Sequence, residues 1–490
     1  MARAIMVQGT ASHVGKSIVA AGLCRVFANR GVSVAPFKSQ NMSLNSCVTA
    51  DGGEIARAQE LMARGARVEP SVLMNPVLLK PKDNRHCEVL ALGRAIGDFS
   101  AMDYAKKVRP QVLETISDSL ARLGESYDLI VIEGAGSPAE INLRKYDICN
   151  MKVARMAGAP VLLVADIDAG GALAAVVGTL ALLTPKERDL VKGIVINKFR
   201  GDMTLLEPGL DILEKKTGKK VLGVIPYIDC SYLDEEDTMS DHAFRPGAEI
   251  AIVRLPYTSN FTDFEPIARA GRVSWVRRPA ELDGARVIIL PGTRNTLLDL
   301  QWLKDTGMAP AIKEKAASGA AVIGICGGYQ MLGERLEDPD GVEAQPGSHE
   351  GLGLLPLTVT FERPKRTNQV AARVVRDISV LPGLEGQVLS GFEIHTGRAL
   401  VEGDSQPLAF ESREGTTSDG AARACPNVFG THLHGLFNNR HALEALFRFL
   451  GLAIGPDDYN ERADSSLEAL ASTIEESLDM DYICGLAGIE

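Results

Sequence analysis

Tryptophan is almost missing from this chain, two residues in 490, and tyrosine is sparse at nine, so an aromatic-rich binding surface is not expected. Basic residues are in deficit as well. Fifty-two Lys and Arg stand against 63 Asp and Glu, a formal charge of −11. That argues against nucleic acid or an anionic membrane as partner, because both select a basic surface. The eight cysteines, at positions 24, 47, 87, 149, 230, 326, 425 and 484, contain no C-x-x-C pair, which excludes a dense disulfide framework and fits reduced thiols in cytoplasm. No uncharged run reaches the ~20 apolar residues that span a bilayer. One long uncharged run, Ala169 to Pro185, is rich in Ala and Gly and reads as a buried loop and helix. The opening MARAIMVQGT moves directly into strand and loop, without the apolar region and cleavage site of an export signal.

What is present is a globular composition, 45% hydrophobic and 23% charged, on a length that implies two domains of roughly 200 residues. In the first half the runs AIMVQG, VSVAPF, DLIVIEGAG, APVLLVAD, KGIVINKF and KVLGVIPY alternate with helical stretches. This rhythm predicts an α/β fold, a doubly wound parallel sheet whose strand ends line a ligand crevice. The pattern resumes with EIAIVRLP, ARVIILPGT and AAVIGICGG, a second α/β domain. The expected division is 1–235, an acidic linker 236–248, a second domain 249–455, and a helical tail 456–490 in which Leu467, Leu470, Ile474 and Leu478 share one face.

Between the first strand and a helix stands Gly9-Thr-Ala-Ser-His-Val-Gly15-Lys16-Ser17, with five residues separating Gly9 from Gly15. In a phosphate loop of this kind, backbone N–H groups from Gly9, Thr10 and Gly15 cradle oxyanions, Lys16 neutralises terminal phosphates and the Ser17 hydroxyl holds Mg²⁺. Further metal ligands are sought in Asp51 of TADGGE, which could also be a turn aspartate, and Glu133 at the strand end VIEGAG. INKFRGD is similar to the Asn-Lys-x-Asp base-recognition element of GTPases, with Arg200 in the aspartate's place. Guanine thereby loses its acceptor and ATP is favoured. Asn197 is a candidate partner for adenine or a plain loop residue.

In AAVIGICGGYQMLGERL an apolar strand runs into Cys326, and Gly327 and Gly328 lead into a helix. Small residues on both sides are what a strained nucleophile elbow requires. Of the histidines in this half, His434 in NVFGTHLHGLF is the expected base, being nearest the turn, with His432 as alternative on the same face if the strand continues through both. Gly292 in LPGTRNT and Gly327 are candidate oxyanion-hole donors, although the first could be a simple turn. Glu393 and His395 stand two apart on a strand and either line the site or face a domain interface.

The phosphate-loop spacing resembles dethiobiotin synthetase and its relatives, in which acidic residues placed like Asp51 and Glu133 are metal ligands. Taken in order, QGTASHVGKS, FKSQNMSLNS, DGGEIARAQ, MNPVLLKP, IEGAGSPAEINL, ADIDAGG, INKFRGD, LPGTRNT, GICGGYQML, GFEIHTGR and LHGLF resemble the cobyric acid synthases over nearly the whole chain. The resemblance implies a phosphate-loop synthetase domain joined to a class I glutamine amidotransferase domain. It further implies ATP, Mg²⁺ and glutamine, and amidation of carboxylates b, d, e and g of adenosylcobyrinic acid a,c-diamide. Triad amidotransferases carry a glutamate two residues after the catalytic histidine, where this chain has Leu436; a Cys–His pair is expected, with no third member nameable from sequence. Gln40, Asn41, Ser43 and Asn45 are expected to meet the corrinoid, their wording fitting cobyric acid synthases better than the sister cobyrinic acid a,c-diamide synthases. A non-catalytic ATPase of the same fold would have no use for a thiol elbow.

Overall fold

The structure is a computed structural model that describes residues 3–489 apart from 83–84, 229–231, 234–244, 246, 272, 404–405, 454 and 456–458. The expected linker 236–248 therefore lies almost wholly outside the described residues. Two compact units are formed. One comprises Met1–Ser43, Gly53–Glu236 and Glu461–Glu490, the other Leu44–Gly52 and Asp237–Asn460.

The six apolar runs of the first half are the six strands of one sheet, in spatial order Lys220–Pro226, Val191–Phe199, Val161–Asp166, Arg3–Gly9, Leu129–Glu133 and Val34–Phe37. Every neighbouring pair is parallel. Successive side chains of a strand point to opposite faces, and here both faces are covered. Ala4 and Met6 enter one apolar cluster, Ile5 and Val7 the other, which is why the runs are apolar at consecutive positions rather than alternate ones. Arg3–Gly9 sits centrally, and the chain passes from its neighbour on one side, Leu129–Glu133, to its neighbour on the other, Val161–Asp166. That change of side is the switch point at which open α/β sheets bind ligands. Gly9, Glu133, Asp166 and Asn197 all lie at or near the carboxyl ends of their strands.

The C-terminal segment forms two helices, Tyr459–Ser477 and Met480–Ala487. Leu467, Leu470, Ile474 and Leu478 are buried with Ile5, Val19 and Leu23. The helix Lys16–Asn29 approaches them so closely that a Cβ on Gly22 would stand 2.2 Å from Ile474 Cδ1. Arg25 and Arg30 pair with Glu468 at 2.8 Å and Glu475 at 2.6 Å. The tail is thus part of the first unit's core, not a separate appendage. A smaller sheet of Gln40–Met42, Val77–Pro81, His86–Ala91 and Arg94–Ser100 completes this unit.

The second unit carries a sheet ordered Val273–Val276, Ile250–Val253, Val287–Leu290, Ala321–Ile325, Asn427–Thr431 and Ala421–Ala424, parallel except for the last pairing. Two four-stranded sheets are inserted in sequence between its strands Ala321–Ile325 and Ala421–Ala424. Among the described residues the seven cysteines are free thiols, and no helix is long and apolar enough to cross a membrane.

Candidate active sites

The phosphate loop opens from the central strand. Gly9 has no room for a side chain, since a Cβ would meet Val14 Cγ2 at 2.6 Å, and Gly15 turns into the helix at φ 93°. Strand ends brace the loop from beside it. Asn197 Nδ2 donates to Val14 O at 2.9 Å, and Lys198, itself at φ 60°, donates to His13 O at 2.7 Å while pairing with Asp166 at 2.8 Å. The Asn197 amide nitrogen therefore faces the loop backbone. Arg200, in the position that GTPases give to aspartate, lies over the Tyr227 ring at 3.5 Å and 3.6 Å from Asp168.

Lys16 Nζ donates to Ala11 O at 2.9 Å. Burial lowers its pKa to about 8, with Glu133 pulling upward and Lys38 adding to the fall. Ser17 Oγ donates to Glu133 Oε1 at 2.9 Å, and the buried Lys38 ammonium reaches the same oxygen at 3.1 Å. Glu133 Oε2 is buried with no partner among the described residues. An unsatisfied carboxylate oxygen beside a hydroxyl is a donor set that fits a hard divalent cation. Lys38 was not singled out from sequence, although it immediately precedes the polar run that was.

Asp51 groups with the second unit. It is exposed, its carboxylate accepts from the Thr49 hydroxyl, and its carbonyl accepts from Arg413. The structure thus brings Ser17 and Glu133 together, while the described partners of Asp51 are Thr49 and Arg413. The run Ser39–Asn45 is also not one loop. Gln40–Met42 is a strand paired in parallel with Val77–Leu79, and Ser43 N donates to Leu79 O at 3.1 Å. Gln40 Oε1 accepts from the Tyr104 hydroxyl. Asn41 Oδ1 accepts from Met42 N at 2.9 Å, while Asn41 Nδ2 is buried without a partner among the described residues. Asn45 is buried in the second unit.

In the second unit Cys326 stands at φ 52°, ψ −112°, between the strand Ala321–Ile325 and the short helix Gly327–Met331. Its N–H donates to Thr431 O at 2.8 Å and its thiol to Ile394 O at 3.4 Å. A non-glycine residue at positive φ is held only by tight surroundings. Those surroundings are the glycines: a Cβ on Gly328 would meet Leu290 O at 2.0 Å, and one on Gly327 would meet Thr293 Cγ2 at 2.5 Å. Gly292 faces the cleft, its Cβ direction lying 3.1 Å from His434 Cε1 and 3.7 Å from Cys326 Cβ.

The strand preceding His434 ends at Thr431, so His432 and His434 do not lie on one continuing strand and turn to different partners. His434 Nδ1 lies 2.6 Å from Asp263 Oδ2. Burial lowers its pKa, but Asp263 and Cys326, each by charge and by hydrogen bonding, outweigh this and raise it to about 10. His432 Nδ1 is 2.7 Å from Asp419, and its Nε2 is 3.4 Å from the Gln330 amide. His395 stacks on His432 at 3.7 Å and bonds Glu393 at 3.1 Å. Burial, then the neighbouring His432, lowers the His395 pKa to about 4, so that ring is neutral. Asp263 escaped the sequence reading because it lies 171 residues from its histidine; the only local signal was the turn SNFTDFEP.

Residues 5–238 match the CobQ/CobB/MinD/ParA nucleotide binding domain family, and residues 249–442 the CobB/CobQ-like glutamine amidotransferase domain family. The cobyric acid synthase of Moorella thermoacetica is 46% identical over 507 residues, covering 100% of this chain and 98% of that protein. Cobyric acid synthase from Pelotomaculum thermopropionicum is 47% identical over 512 residues, with 100% and 97% covered. The Sorangium cellulosum cobyric acid synthase is 48% identical over 514 residues, with 98% of each covered. A nucleotide-binding half and an amidotransferase half, in this order and aligned along essentially the full length of such relatives, mean that the chain belongs to the cobyric acid synthase family.

Proposed function

We propose that this enzyme amidates carboxylates b, d, e and g of adenosylcobyrinic acid a,c-diamide, using ATP and glutamine, to give adenosylcobyric acid. The observation that carries the reading is the presence in one chain of a braced phosphate loop and a strained cysteine elbow facing a histidine. Phosphoryl transfer and ammonia release thereby have separate machinery.

In the first unit the corrinoid carboxylate attacks the γ-phosphorus of ATP and ADP leaves, giving an acyl phosphate. Lys16 and the loop N–H groups of Gly9, Thr10 and Gly15 neutralise and orient the phosphates. Ser17 and Glu133 would hold Mg²⁺, which supplies charge neutralisation at the transferring group. Lys38 keeps the Glu133 carboxylate in place, and Asn197 fixes the loop. Asn41, with its unsatisfied amide, and Gln40 and Ser43 beside it, offer hydrogen bonds to a substrate rich in carboxylates and amides.

In the second unit the Cys326 thiolate attacks the glutamine carboxamide, with Gly292 and Gly327 N–H groups receiving the oxyanion. His434 hands a proton to the departing ammonia, then takes one from the water that releases glutamate from the thioester. Ammonia attacks the acyl phosphate carbonyl and phosphate leaves. An assay with adenosylcobyrinic acid a,c-diamide and ATP, counting amides by mass, tests the whole scheme. Cys326→Ala is expected to abolish synthesis with glutamine and retain it with high ammonium, whereas Lys16→Ala loses both. Equal loss in Cys326→Ala with either nitrogen donor overturns the division of labour.

A further inference from the structure

We propose that Asp263 is the positioning residue of the glutamine-hydrolysing site, supplying from a separate turn the carboxylate that orients His434. The inference rests on the reading of Cys326 and His434 as nucleophile and base. The position two residues beyond the histidine, where triad amidotransferases keep a glutamate, holds Leu436, an apolar side chain buried at 2% exposure. The carboxylate enters instead from the one-turn helix Phe261–Phe264. Phe264 anchors that turn in the core, Asn260 opens it at φ 51°, and Asp263 N donates to Asn260 O at 3.0 Å.

Both carboxylate oxygens are engaged. Oδ2 meets His434 Nδ1 at 2.6 Å, and Oδ1 accepts from Gly435 N at 3.1 Å. Asp263 thus fixes both the ring and the backbone that follows it. Phe392 stacks on the ring at 5.2 Å, with planes 14° apart, and its backbone bridges that of His434. The contact of Asn260 Nδ2 with the same ring nitrogen, at 3.4 Å, is too long to compete. It would also oppose a donor to a donor once Nδ1 carries the proton that the carboxylate demands. With the proton held at Nδ1, Nε2 is left to exchange a proton with the thiol. Asp263 and Cys326 are the titratable groups facing the ring; the packed strand Val388–His395 contributes Phe392, and the turn contributes the Asn260 amide.

Asp263→Asn is nearly isosteric and separates orientation from packing. Its oxygen would continue to accept from Gly435 N, which turns the NH₂ group toward Nδ1 and selects the wrong tautomer. Glutamine hydrolysis is expected to lose about 10²–10⁴ in kcat, with KM moving less than about threefold. The pH profile should move too. The alkaline limb of kcat, set by loss of the His434 proton, should move to lower pH, because the Asp263 charge and hydrogen bond that help raise the His434 pKa to about 10 are gone. Native kcat and an unchanged pH profile in Asp263→Asn overturn the proposal. Should the variant not fold, ¹⁵N-histidine spectra of the native full chain decide, with His434 assigned by loss of its signal in His434→Gln. A protonated Nδ1 supports the proposal, and a proton on Nε2 alone overturns it. If Cys326→Ala or His434→Ala still hydrolyses glutamine, the reading of the site fails instead, independently of Asp263.

Discussion

Asn197 and Val14 are joined by a 2.9 Å hydrogen bond from the asparagine amide to the phosphate-loop carbonyl. The same amide nitrogen lies only 2.2 Å from where a Cβ on Gly15 would stand, so the loop can close over it only because Gly15 lacks a side chain. Asn197, which the INKFRGD motif offers as a partner for adenine or as a plain loop residue, braces the loop.

Asn197→Ala should accordingly weaken ATP without altering the choice of base. It leaves a buried carbonyl unsatisfied, a loss of about 1–3 kcal/mol, and loosens the loop beneath the phosphates. We expect the KM for ATP to rise roughly tenfold or more, with the ATP-to-GTP preference unchanged. A variant that accepts GTP better while keeping its ATP affinity would return Asn197 to base recognition.

The depressed pKa of Lys16, about 8, implies that nucleotide binding takes up a proton in mildly alkaline solution. Below that pH the ammonium is already charged in the free protein and no uptake from it is expected. As pH rises through about 8 the free protein loses the charge, while an adjacent polyphosphate favours the charged form and restores it. Calorimetry of ATP binding in buffers of different ionisation enthalpy measures the uptake directly. It should appear on the alkaline side and be absent in Lys16→Met; uptake persisting in that variant assigns the proton to another group.

What could be read from the sequence was what lies close along the chain. The phosphate loop, the six apolar runs and the elbow around Cys326 are each contained in a short stretch whose spacing dictates its shape. Residues whose roles depend on distant partners were not legible. Lys38 meets Glu133 across 95 positions and Asp263 meets His434 across 171, and nothing local distinguishes either from an ordinary surface charge. The tail illustrates an intermediate case. Its heptad-like face was visible, but the face it covers, around Gly22, was not.

That packing predicts a stability effect. Ile474 is fully buried against the helix that begins at Lys16, so Ile474→Ala should cost about 2–5 kcal/mol by leaving a cavity. In scanning calorimetry the transition that ATP shifts upward should move down in temperature. An unchanged transition would mean that the tail contributes little to the nucleotide-binding unit. Gly22→Val, which forces the two elements apart, should act in the same direction.

Asn41 offers the sharpest test of where the corrinoid lies. Its oxygen is committed to Met42 N at 2.9 Å, while its amide nitrogen is buried with no partner among the described residues. A buried donor left unsatisfied costs about 1–3 kcal/mol, and a group that is costly in the free protein yet satisfied by ligand favours binding. The corrinoid carries carboxylate and amide acceptors on its periphery. The triphosphate, by contrast, is already served by Lys16 and the loop N–H groups. Asn41→Ala removes the unsatisfied donor together with the oxygen that serves Met42 N, two effects of opposite sign, so the melting temperature of the free protein should change little. The KM for the corrinoid should rise about tenfold or more, while that for ATP stays near its native value. A rise confined to ATP would place this amide against the nucleotide, and a lowered melting temperature with both KM values unchanged would make Asn41 a purely structural residue.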